Sequence, residues 1–311
     1  MAAELRFRAM GSDAHVIVVD GPPDALETAR ARIEQLERLW SRFLPDSEVS
    51  DLNRHPGEAR EVSDETRLLI AKAVEAWAAS GGAFDPTVLG SLVAAGYDRS
   101  FELIDDETSS PAVALPTSLA LVGCTDIELD GTSVKLPAGT GFDPGGIGKG
   151  LAADLVVEEL RALGAAGACV NLGGDLRVSG EGPDGGPWII DIEAPGREVR
   201  LARVSLTEGA VATSTTLRRR WGPDGERHHL IDATTGEPSA TDLEVATVVA
   251  GAAWLAEVHA KTVLLRGAPH QFDLVDGTGP EALSVDRHGY VCRTPGMAGF
   301  LVDEPVGGQA A

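Results

Sequence analysis

The chain has 311 residues, 43% hydrophobic and 24% charged, enough for one large domain or two closely packed ones with a real core. Its formal net charge of -22 at pH 7 excludes a protein that wraps nucleic acid or sits on anionic lipid, since both need clustered positive charge. Cys124, Cys169 and Cys292 lie far apart without a C-x-x-C pair, which excludes a disulfide framework and a thiolate zinc site.

Residues 1–10 mix Glu4, Arg6 and Arg8 with apolar residues and show no signal-peptide core. The longest apolar run, 245–256, is too short to cross a bilayer. These features read as a cytoplasmic protein without membrane insertion. His15-Val16-Ile17-Val18-Val19 reads as a strand, closed by Asp20-Gly21-Pro22-Pro23. Asp24 and Glu27 form a capping box, and Ile33, Leu36, Leu39, Trp40 and Phe43 carry one buried helix face as far as Pro45. A second helix after Ser63 buries Leu69, Ile70, Ala73, Val74 and Trp77 and stops at Gly81-Gly82.

Residues 101–118 read as a polar surface connection, followed by strands at 119–123, 127–129 and 133–136, with Asp130-Gly131 as a hairpin turn. A helix from about 151 to 163 ends at Gly164, and a strand follows at 168–172. Strands with glycine-rich turns fill 173–205, two more lie at 227–231 and 243–250, and the last helix, about 251–265, closes at Gly267. This irregular, partly hairpin-connected alternation predicts an α+β fold with mixed or antiparallel sheets and packed helices.

The run Asp143-Pro144-Gly145-Gly146-Ile147-Gly148-Lys149-Gly150 carries the strongest chemical signal. Its glycines let backbone N–H groups approach anionic oxygens, beside a lysine and the positive end of a helix. It is neither a Walker A loop nor G-x-G-x-x-G, since Asp143, Gly150 and Leu151 break those patterns. Alone it fits a phosphate site and a plain glycine-rich turn equally. Cys169 in its apolar run reads as a buried thiol.

In series with it stand Met10-Gly11-Ser12, Ser41-Arg42-Phe43 leading to Ser47-Glu48-Val49-Ser50-Asp51-Leu52-Asn53, Gly82-Ala83-Phe84-Asp85-Pro86-Thr87-Val88, Val170-Asn171-Leu172-Gly173-Gly174-Asp175, Ala212-Thr213-Ser214, and His229-Leu230-Ile231-Asp232 running on to Pro238. The ordered set resembles the FAD:protein FMN transferase family, the ApbE-type flavin transferases, over roughly residues 7–267. The resemblance implies one domain over 1–311, divisible into two intimately packed subdomains, with FAD across a central cleft. It implies that a Thr or Ser hydroxyl of an acceptor protein attacks the FMN-side phosphorus of FAD, leaving FMN in phosphoester linkage and releasing AMP. It leaves the oligomeric state open.

Position by position, it places Met10, Phe43, Ala83, Phe84, Asp85, Lys149, Asn171, Gly173, Gly174, Asp175, Thr213, Ser214 and Ile231 at the cofactor. Phe43 stands where many relatives have tyrosine, and Thr215 where glycine is usual. His229 is the expected proton acceptor, since histidine titrates near neutrality. A continuous strand over 227–231 would turn His228 to the other face. Asp232 fits two roles equally, orienting the imidazole or bonding the turn.

The family's magnesium ligands are an aspartate and a threonine of Ala-Asp-x-x-Ala-Thr, with backbone carbonyls. The matching stretch here is Ala256-Glu257-Val258-His259-Ala260-Lys261. The expected ligands are Glu257 and the carbonyls of Ala152 and Ala260, with Lys261 in the threonine's place. An ammonium has no lone pair, so magnesium is expected to be weakened or absent. Glu257 and Lys261 also have the spacing of a helix ion pair. Two alternatives remain for the activity: hydrolysis of FAD to FMN and AMP, or a non-catalytic FAD carrier.

Overall fold

The computed structural model describes residues 1–104, 123–193, 200–222, 225 and 227–303. The chain divides into two units, one of Met1–Gln35, Lys149–Leu217 and Thr241–Ala311, the other of Leu36–Gly148 and Arg218–Ala240.

The first unit is built on an antiparallel sheet of eight strands. From edge to edge they are Ala2–Ala9, Ser12–Val19, Gly167–Leu172, Asp175–Gly180, Glu208–Thr215, Leu243–Ala250, Glu281–Asp286 and Val291–Arg293. Alternation along the strands sends Cys169, Leu176, Val178, Val211, Val245 and Val249 to one face. There they share a core with Trp188, Ile192, Val204 and Leu206 of a three-stranded sheet, Trp188–Ile192, Ala202–Leu206 and Leu301–Asp303. The opposite face carries Ala168, Val170, Ala210, Ala212, Ala246 and Val248, all buried. The small side chains there let helix Ala253–Arg266 pack closely on strands Glu208–Thr215 and Leu243–Ala250.

Helix Gly148–Ala162 meets the start of helix Ala253–Arg266. A Cβ on Gly150 would stand 2.4 Å from the Ala253 carbonyl oxygen, so only glycine fits there. Four residues on, Asp154 accepts the N–H of Ala253 (2.8 Å) and of Trp254 (3.0 Å). It caps a helix whose own N-cap residue, Ala252, supplies no side-chain bond.

In the second unit Ser63 and Ser47 cap helices Asp64–Ala79 and Glu48–Arg54. Strands Ala59–Glu61, Ser133–Lys135 and Glu128–Asp130 pair in that order. Two short hairpins pair Arg220–Trp221 with Arg227–His228 and Ile231–Asp232 with Glu237–Pro238. The aromatic core joins Tyr97 and Trp221 with Leu92, Ala95 and Ile231, with Phe43 and Phe101 packed against them.

Several expectations are corrected. The first long helix, Ala25–Trp40, stops before Phe43, which lies in the turn that follows. The glycine-loop helix begins at Gly148, so Lys149 and Gly150 sit in its first turn. The segment 227–231 is two short strands broken at His229 and Leu230. Strands Ala2–Ala9, Ala59–Glu61, Glu208–Thr215, Arg220–Trp221, Glu237–Pro238, Glu281–Asp286, Val291–Arg293 and Leu301–Asp303 are additional to those expected. The strand expected at 119–123 lies almost wholly outside the described residues, as does most of the connection over 101–118. Among the described residues no helix is long and apolar enough to cross a membrane.

Candidate active site

In the first unit strand register gathers the sequence-selected segments at one end of the large sheet. Ala9 pairs with Ser12 and Leu172 with Asp175, leaving Met10-Gly11 and Gly173-Gly174 as two-residue turns. Ala14 pairs with Leu172, so the two turns lie side by side, and the Gly173 N–H donates to the Asp13 carbonyl at 2.9 Å. Met10 takes φ 51°, a conformation that costs a residue with a side chain roughly 1 kcal/mol and so is kept for a reason of position. Asn171 Oδ1 accepts the Gly174 N–H at 2.8 Å and shapes the second turn. A Cβ on Gly174 would meet nothing within 4 Å, so the turn opens onto space.

Strand Glu208–Thr215 reaches the same end, since Val211 lies opposite Leu176. Thr213 and Ser214, expected together at the cofactor, point to opposite faces. Thr213 Oγ1 bonds Thr247 Oγ1 at 2.9 Å on the Val211 face, whereas Ser214 lies opposite Ala246 on the face of Asp175.

On that face lies a buried ionic cluster. The Lys149 ammonium donates to Asp175 Oδ2 and, at 3.0 Å, to Glu257 Oε1. The other Glu257 oxygen accepts the Gly150 N–H at 2.8 Å. Glu257 is 1% exposed and Asp175 4%. Burial, and next the Glu257 carboxylate, push the Asp175 pKa up, to about 6, while Lys149 and Lys261 pull it down. Glu257 is therefore tied to Lys149 and Gly150, a pairing the helix spacing did not foresee.

The expected magnesium ligands already carry hydrogen bonds. The carbonyls of Ala152 and Ala260 lie inside helices Gly148–Ala162 and Ala253–Arg266, where the backbone ladder uses them. Both Glu257 oxygens hold donors. Among the described residues no group of three His, Cys, Asp or Glu side chains is placed to hold a metal ion.

In the second unit the two histidines separate on hydrogen bonding and burial. His228 is 4% exposed. Its Nε2–H donates to the Ser239 carbonyl at 3.0 Å and its Nδ1 accepts the Leu230 N–H at 3.3 Å. Both ring nitrogens are spent on structure, which fixes the neutral tautomer. His229 lies at the bend between the two short strands, partly exposed. Asp232 takes the turn role, since its Oδ1 accepts the Thr234 N–H (2.8 Å) and Oγ1–H (2.6 Å).

Asp85 likewise shapes a turn, accepting the Thr87 N–H at 2.7 Å. Phe84 and Ile231 are buried in the unit, so what they can offer a ligand is backbone; Ala83, next to Phe84 in the chain, is partly exposed. A residue assigned no role from sequence stands out here. The Arg42 guanidinium stacks 4.1 Å from the Phe43 ring centroid and 4.7 Å from that of Tyr97. Its Nε pairs with Asp143 Oδ1 at 2.9 Å and its Nη2 donates to the Tyr97 carbonyl at 3.0 Å. Arg42 thereby fixes Phe43 and the first residue of the glycine run. An arginine between two motif residues was the available signal. Cys169 is buried as expected, its thiol pushed up to about 12 by burial.

The model of the ApbE family matches residues 10–283. An FAD:protein FMN transferase of Vibrio cholerae is 30% identical over 213 residues, covering 66% of this chain and 62% of that protein. One of Treponema pallidum is 32% identical over 254 residues, covering 73% and 67%. This chain thus spans about two thirds of the length of these two relatives. Among solved structures, the ApbE protein of Thermotoga maritima superposes with a TM-score of 0.86 at 26% identity, covering 97% of this chain and all of that one. The apo flavinyl transferase ApbE of Pseudomonas stutzeri gives 0.83 at 27% identity. A family match over most of the length, on the same fold, shows that the chain belongs to the ApbE family.

Proposed function

We propose that this protein is an FAD:protein FMN transferase, moving FMN from FAD to a threonine or serine hydroxyl of an acceptor protein. The observation that carries the reading is the convergence of Met10, Gly173, Gly174, Asp175, Lys149 and Ser214 at one end of the large sheet. Those residues are chosen by the motifs that mark the family; strand register brings the turns, Asp175 and Ser214 together, and helix Gly148–Ala162 adds Lys149.

The acceptor hydroxyl oxygen bonds to the FMN-side phosphorus as the bond from that phosphorus to the bridging oxygen breaks. AMP leaves with the bridging oxygen, and the hydroxyl proton passes to His229 and on to solvent. The partial exposure of His229, beside a His228 whose nitrogens are both engaged, supports it as the acceptor of that proton. The glycine turns and Lys149 hold the pyrophosphate, where fixed donors and positive charge offset the charge of the transferring group. Phe43, Ala83, Phe84, Asp85 and Ile231 contribute contacts to the flavin half, with the Arg42 stack holding Phe43 in place.

The test follows AMP production from FAD with and without an acceptor protein. AMP formed only with the acceptor is expected. AMP formed equally without it would assign hydrolysis, and bound FAD with no AMP would assign a carrier.

A further inference from the structure

We propose that Lys149 and Lys261 do in this chain the work of a divalent cation, so that the phosphate site takes FAD without metal. The inference rests on the transferase reading and concerns the same site. Its starting point is the donors that the two carboxylates already hold. Lys149 bridges Asp175 and Glu257, and the second Glu257 oxygen holds the Gly150 N–H. Both of these donors come from the first turn of helix Gly148–Ala162. Lys261 stands one turn after Glu257 on helix Ala253–Arg266, the spacing that puts two residues on one helix face. Its charge bears on Asp175.

The charge count closes. Two carboxylates, Asp175 and Glu257, are set against two ammoniums: Lys149 bonds both, and Lys261 stands one helical turn from Glu257. The cluster is neutral as it stands, so the buried carboxylates do not repel an incoming pyrophosphate. A divalent cation at Glu257 would have to share oxygens that already hold an ammonium and a backbone N–H. It would also sit within a few ångströms of two positive charges, where repulsion is stronger than in bulk water. A lysine ammonium, as a compact point charge, supplies stabilisation of the same kind to phosphate oxygens. Replacing Lys261 by a neutral residue leaves a net negative charge beside the phosphates, which a metal could then correct.

The test uses the full-length protein and two readings that need no turnover: FAD affinity by calorimetry in EDTA or in magnesium, and Mn2+ binding by electron paramagnetic resonance. The wild type is expected to bind FAD equally in both conditions, within about twofold, and to hold no Mn2+ at micromolar concentration. Lys261→Thr is expected to lose about tenfold or more in FAD affinity in EDTA and to regain it with magnesium. Lys261→Arg, which keeps the charge, is expected to stay insensitive to EDTA, and a thermal melt of each variant confirms folding.

One Mn2+ held tightly per wild-type chain, or FAD affinity that collapses in EDTA, would overturn the proposal. A Lys261→Thr protein as indifferent to metal as the wild type would do the same. Since FAD must bind but need not react, absent AMP formation would count against the transfer reaction alone.

Discussion

At the residue scale the adjacent histidines carry the clearest consequences. His229→Ala is expected to leave FAD affinity unchanged and to slow FMN transfer about a hundredfold, the usual range for a lost general base. Wild-type rates in that variant would remove it from the reaction. His228 acts on stability instead. Burial, and secondarily the charge of Arg220, lower its pKa from the ordinary 6.5, while the bond to the Ser239 carbonyl opposes the shift. The unfolded chain takes up a proton as pH falls through about 6.5 and the folded chain resists it, so stability is lost on the acid side of that value. His259, buried and shifted the same way by burial, adds to the loss. His228→Gln should therefore flatten the fall in melting temperature between about pH 7 and pH 5. An unchanged pH slope would mean that His228 is not held neutral. The family motif selects His229, and the strand alternation that would have turned His228 away does not apply, because the strand breaks there. The hydrogen bonds of its neighbour supply a better one.

At the element scale the two helices of the ionic cluster depend on each other through Asp154. Its carboxylate takes the first N–H groups of helix Ala253–Arg266 and stands 3.3 Å from the Arg177 guanidinium. Asp154→Ala is expected to cost about 1–3 kcal/mol, a lost cap made of charge-assisted bonds, read as a lower urea midpoint at unchanged slope. An unchanged midpoint would show that the cap contributes nothing. Elements with local punctuation were readable from sequence: Ser63 ahead of its helix, Asp130-Gly131 in its hairpin, Gly267 after the last helix. Strand Ala2–Ala9 also carries a signal, Leu5, Phe7 and Ala9 alternating with charged residues that guard an exposed sheet edge. Strand Glu281–Asp286 does not alternate, because its four central residues are all buried. A short apolar run of that kind reads ambiguously.

At the scale of the whole molecule the candidate residues span Met10 to Lys261, and no local pattern could have shown which ones meet. Motif order named the segments. Strand register then placed the turns at Met10 and Gly173 side by side and sent Thr213 and Ser214 to opposite faces. The bridging role of Lys149 was invisible for a further reason, since it depends on the packing of two helices whose residues lie 108 positions apart. The acidity of the chain makes the same point. A net charge of -22 says nothing of a buried, lysine-bridged pair of carboxylates within it. The measurement that bears most directly on the central claim is the intact mass and flavin fluorescence of an acceptor protein of the Vibrio cholerae transferase, after incubation with this protein and FAD. The account predicts an acceptor heavier by one FMN less water, fluorescent, and unlabelled when its target hydroxyl residue is replaced by alanine. An acceptor that stays unmodified while FMN accumulates in solution would contradict it.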